Sequence, residues 1–165
     1  MFERAFYRLG QLRRALRPEV TETERTAARN ALGERLYPLF ASMQPADQRH
    51  CLDVFEALLS TGQTDAGLLA AALLHDCGKG SIAGARIGLR HRIGYVMLAP
   101  APPLLAAACR LSPGLAALRD HGPRTIALVR EYGAPASVVE LVEQAEGLRP
   151  LDERGRALKR ADDAT

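Results

Sequence analysis

The hydrophobic pattern is most concentrated in residues 65–80, DAGLLAAALLHDCGKG, which are apolar almost all the way round from 68 to 74. A helix without a polar face has no solvent side, so this segment is predicted to lie at the centre of the fold, opened by Asp65 as its N-cap. The flanking segments are amphipathic instead. Residues 2–16 place Phe2, Phe6, Leu9, Leu12 and Leu16 at helical spacing over a basic back, with Pro18 as the stop. Thr21 and Glu24 form a capping box for a helix to about residue 40, with Ala28, Ala31, Leu32, Leu36 and Leu39 on one face. Pro45 and Asp47 mark a turn and an N-cap. A helix over about 48–60 follows, in which Cys51, Val54, Phe55, Leu58 and Leu59 share a face and His50 joins the inward row with Val54 and Leu58.

Beyond Gly80, Ile87, Ile93, Val96, Met97 and Leu98 predict a helix closed by Pro100, Pro102 and Pro103. Residues 104–118, broken at Pro113 and Gly114, read as one or two short helices. Asp120 and His121 precede Pro123 at a helix start, and that helix ends at Gly133. Pro135 opens the next, with Val138, Val139, Leu141 and Val142 inward, and a last helix over about 152–163 carries Ala157, Leu158 and Ala161. No alternating strand pattern and no internal repeat interrupts this series, so the predicted class is all-α.

Composition narrows the reading further. At 165 residues with 47% hydrophobic content, the chain can bury one real core. Aromatics are only 5% and Trp is absent, which leaves Leu, Ala and Val to build that core. The net charge of +3 is carried almost wholly by arginine, with lysine only at 79 and 159, and suits phosphate-bearing ligands without demanding them. Cys51, Cys77 and Cys109 show no CxxC pairing, which argues for a reducing compartment. With no signal core and no run of membrane-span length, a cytoplasmic location and no membrane partner are expected.

The candidate chemistry sits at the polar end of the central helix. His75 and Asp76 occupy its last turn, and Gly78 follows where a left-handed cap would sit. A carboxylate opposes the helix dipole there, and a positive partner such as a metal ion would remove the conflict. His50 on its inward row and Asp162 near the end of the last helix add a second imidazole and a second carboxylate. Singly these are an ordinary core histidine and a solvated terminal acid. Together, two imidazoles and two carboxylates suit a divalent metal with positions open for water and substrate.

The ordered pattern H…HD…D, carried by QRHCLDVFEALL, AALLHDCGKG and LKRADDAT, resembles the HD-domain metal-dependent phosphohydrolases. The likeness covers about residues 48–165. It implies a helical bundle with the metal site buried between helices, divided as N-terminal helices in 1–45 packed on an HD-type domain in 46–165. By the resemblance His50, His75, Asp76 and Asp162 are the metal ligands, with Asp163 the neighbouring alternative for the last. Asp76 also orients a metal-bound water as nucleophile, Lys79 binds a phosphate oxygen at the mouth of the site, and His121 is a substrate contact or general acid. Lys79 has a plainer reading as a helix C-terminal cation, and His121 as a surface residue at a helix start. The stretch DHGPRTIALVREYGAPASVVELVEQAEG departs from the family pattern. Where a second His closes the following helix in the family, this chain has Gln144, Ala145 and Glu146, so a single divalent ion (Mn, Fe, Ni, Co, Mg or Zn) is expected.

The expected function is hydrolysis of a nucleotide or another small phosphoester. The alternative is a catalytically inactive ligand-binding or regulatory module of the same fold. A nucleic-acid-binding role rests only on the Arg-rich N-terminus and has no recognition-helix signature. His91 and its neighbours Arg86, Arg90 and Arg92 read as a solvated basic face, and Cys77 as packing.

Overall fold

In a computed structural model, residues 19–84 and 87–165 are described. The helix expected over 2–16 and Arg86 lie outside them. Nine helices and no strand occur among the described residues: α1 (Glu22–Ala41), α2 (Pro45–Ser60), α3 (Ala66–Leu74), α4 (Leu89–Leu98), α5 (Pro102–Leu111), α6 (Pro113–Arg119), α7 (His121–Glu131), α8 (Ala136–Ala145) and α9 (Glu153–Ala164). Two 3-10 turns, Cys77–Lys79 and Ser81–Ala83, follow α3.

The apolar helix α3 is the hub. It packs against α1, α2, α8 and α9, and Leu68, Ala71, Ala72, Leu73 and Leu74 are fully buried. Asp65 caps it, its carboxylate accepting from the Leu68 amide at 2.8 Å. Ala28, Leu32, Leu36, Leu39 and Phe40 of α1 belong to the same core as α2, α3, α8 and α9. The capping box at Thr21 and Glu24 is present in full.

Three details differ from the periodic reading. Ala31 is exposed although Ala28 and Leu32 are buried, and the backbone of α1 kinks two residues later at Gly33, whose φ of 67° only glycine adopts readily. Asp47 is not an N-cap. α2 starts two residues earlier at Pro45, and the Asp47 carboxylate, itself buried, instead takes the half-buried Arg92 of α4 at 2.6 Å. Leu59, predicted inward, is 44% exposed at the outer edge of α2.

Residues 104–118 resolve into α5 and α6, separated at Ser112, whose side chain caps α6. α4, α5 and α6 form a lobe around a small second core of Ile87, Ala117 and Leu118, with Tyr95 packed against it. His91 is half-buried there rather than on a solvated face. Its Nδ1 accepts from the Gly88 amide at 2.9 Å, and its ring packs on Gly114. Arg92 is likewise tied to Asp47 rather than solvated. No helix among the described residues is long and apolar enough to cross a membrane.

Candidate metal centre

Five elements converge on the polar end of α3. α2 supplies His50 from its inward face, and the exit of α3 supplies His75 and Asp76. α9 supplies Asp162, the start of α7 supplies His121, and the residue after α8 is Glu146. α3 ends at Leu74, so His75 is its C-cap, with its amide bonded to Ala71 at 2.9 Å, and Asp76 leads the following 3-10 turn.

That turn is pressed onto α7. The Gly78 amide donates to Thr125 Oγ1 at 2.9 Å, and a Cβ at Gly78 would collide with the His121 carbonyl and the Thr125 backbone. Gly78 is not left-handed, contrary to the expectation of a left-handed cap. Glycine is needed at this position for close approach, which holds Asp76 and His121 together.

His75 Nδ1 lies 2.9 Å from the Ala72 carbonyl, so Nδ1–H donates and the Nε2 lone pair faces the site. Cys51 Sγ packs 3.8 Å from the same Nδ1. His75 Nε2 lies 3.3 Å from His50 Nε2, 3.6 Å from Asp162 Oδ1 and 3.9 Å from Asp76 Oδ2. His50 Nε2 meets Asp162 Oδ1 at 3.0 Å. One donor atom each from His50, His75 and Asp76 falls within 4.8 Å of the others. Asp163 points elsewhere, onto Lys159 at 2.8 Å on the exposed side of α9.

Electrostatics bind this group together. The hydrogen bond with Asp162 raises the His50 pKa against the burial that would lower it, and the same bond lowers the Asp162 carboxyl. Asp76 is 5% exposed. Burial alone would raise its pKa, but His75, Lys79 and His121 hold it well below the usual carboxylate range. Lys79 Nζ sits 2.6 Å from Asp76 Oδ2. The unfavourable placement of Asp76 at the α3 C-terminus is therefore relieved by Lys79, a partner within the chain itself.

His121 lies on the other side of Asp76. Its Nδ1 meets the Leu118 carbonyl at 2.7 Å, and its Nε2 lies 3.6 Å from Asp76 Oδ1 and 3.9 Å from Glu146 Oε1. Gly122 makes room for this arrangement, since a Cβ there would overlap the Glu146 carboxylate. The Lys79 contact and the Ala72 anchor are the parts that residue pattern did not reveal.

The donor set fits a divalent ion. Two imidazole nitrogens and the Asp76 carboxylate face one another, Asp162 lies against the imidazoles outside that group, and the outer nitrogen of His75 is fixed by a backbone carbonyl. Among the described residues no buried side-chain nitrogen or oxygen lacks a hydrogen-bond partner. No family model matches the chain, and neither a curated protein nor a solved structure matches it.

Proposed function

We propose that this chain is an HD-type metal-dependent phosphohydrolase acting on a nucleotide or another small phosphoester. The observation that carries the reading is the meeting of His50, His75 and Asp76 at one point, with Asp162 Oδ1 against both imidazoles and His75 Nε2 presented by the Nδ1 contact to Ala72. These four residues would hold one divalent ion. Such an ion would supply Lewis acidity and would lower the pKa of a water so that it loses its proton, and becomes a nucleophile toward phosphorus, near neutral pH.

The chain's own groups divide the remaining work. Asp76 stays ionised and offers Oδ1 on the side facing His121. Lys79 has three N–H donors and places one on Asp76, leaving others for a phosphate oxygen at the mouth. His121, with Nδ1 directed to the Leu118 carbonyl, presents Nε2 for a proton to the leaving oxygen. Glu146 Oε1 stands 3.9 Å from that nitrogen.

A second reading, a ligand-binding or regulatory module without catalysis, is favoured by two observations. Lys79 already neutralises Asp76, and Gln144, Ala145 and Glu146 stand where the family pattern has a histidine. Hydrolysis assays decide between them. Purified protein is tested on p-nitrophenyl phosphate, bis-p-nitrophenyl phosphate and nucleoside phosphates with added Mn, Mg, Ni or Co, beside His75→Ala/Asp76→Ala. Metal-dependent turnover lost in the double variant supports the enzyme. Stoichiometric metal without turnover on any of these esters supports the module.

A further inference from the structure

We infer that the α4–α5 hairpin docks on the surface of a bilayer containing anionic phospholipid. Helical periodicity predicts α4 as an element but says nothing of what covers it, and three of its apolar residues face solvent. Ile93 is 52% exposed, Val96 71% and Met97 74%. They lie three and four residues apart on one face of α4. On α5, Leu104 and Leu111 are 62% and 88% exposed, two turns apart on one side. The second core of the lobe is Ile87, Ala117 and Leu118, so these five exposed apolar residues of the α4–α5 hairpin lie outside the cores of the described residues.

The charge around this surface selects its partner. Residues 77–119 contain no Asp or Glu at all, although the whole chain has 19. Arg90 stands one turn before Ile93 and Arg110 beside Leu111, and both are exposed with no ion pair among the described residues. Exposed apolar side chains rimmed by arginine and free of acid are the composition of an interfacial helix on anionic lipid.

Two other occupants fit less well. A second copy would bring Arg90 and Arg110 against like charge. Residues 1–18 carry five arginines against the single acid Glu3, so covering by that segment meets the same repulsion. The contact is one-sided, since no described helix crosses a membrane. The expectation of no membrane partner was drawn from the lack of a span, and it had no view of which face of α4 is covered. The inference is independent of the metal site.

The test is flotation of the full chain with vesicles of phosphatidylcholine alone, and of phosphatidylcholine mixed with phosphatidylglycerol. Wild-type protein is expected to float with the anionic vesicles only, and less so at high salt. Val96→Glu/Met97→Glu is expected to lower that partition at least about tenfold. Arg90→Glu/Arg110→Glu should lower it as well and keeps the apolar surface intact, with circular dichroism checking the fold of each variant. Three results would overturn the inference. The first is no preference for anionic vesicles, and the second is partition unchanged in both variants, which would place binding elsewhere, as in residues 1–18. The third is a wild-type dimer, by light scattering, that Val96→Glu/Met97→Glu converts to monomer.

Discussion

His50 and Asp162 are 112 positions apart in the chain and 3.0 Å apart in the fold, Nε2 to Oδ1. α2 and α9 pack on each other as well as on α3, so the pair bridges two helices that flank the hub. Asp163, one residue later, lies on the solvent side of α9 with Lys159. Asp162→Asn is expected to weaken divalent-metal binding at least about tenfold, whereas Asp163→Asn leaves it unchanged. Calorimetric titration of each variant with Mn or Ni checks this, and equal effects of the two substitutions would remove Asp162 from the site.

Lys79 and Asp76 form an ion pair with both side chains mostly buried. Lys79→Met leaves an uncompensated carboxylate there, and a loss of about 3–5 kcal/mol of stability is expected in metal-free protein. A saturating divalent ion supplies the missing charge and should recover a larger share of stability in the variant than it adds to wild type. Urea denaturation with and without metal measures both. A variant indifferent to metal would mean that no ion reaches Asp76.

Two glycines separate fold from chemistry. At Gly78 a methyl group meets the backbone of α7, which cannot yield cheaply, so Gly78→Ala is expected to cost about 1–3 kcal/mol. At Gly122 it meets only the flexible end of Glu146. Gly122→Ala should therefore keep or slightly raise stability while displacing Glu146 from His121. If Glu146 supports the proton transfer, turnover in Gly122→Ala falls to the level of Glu146→Gln. Thermal melts and rates on one phosphoester distinguish the two effects.

All three cysteines are free and buried. Burial raises the Cys51 thiol well above its ordinary range and pushes Cys77 up to about 12. Near pH 8 neither forms useful thiolate in the native state. A thiol reagent should label native protein slowly at every cysteine and label all three rapidly in denaturant. Fast native labelling of Cys51, which packs on His75, would show that the site opens.

Much of the fold was legible because local chemistry and tertiary demand agree. Thr21 with Glu24, Asp65 and Asp152 cap the helices that follow them, and the continuous apolar run of α3 did mark the hub. The register failed where a distant element decides. Asp47 belongs to Arg92, His91 to Gly88 and Gly114, and the apolar face of α4 to no other element of the described fold. His50, His75, Asp76 and Asp162, singled out by residue type and order, lie close together in the fold. What could not be read was that Lys79 would already neutralise Asp76, because an i, i+3 contact through a 3-10 turn depends on where that turn is pressed.

The most direct measurement is calorimetric titration of a divalent ion into the chelator-stripped 165-residue chain, beside His75→Ala/Asp76→Ala. The expected result is one ion per chain at a dissociation constant below about 100 µM, with protons released on binding and no binding in the double variant. Wild-type protein that takes up no Mn, Ni, Co or Mg under these conditions, or a double variant that binds as well as wild type, would contradict the metal centre.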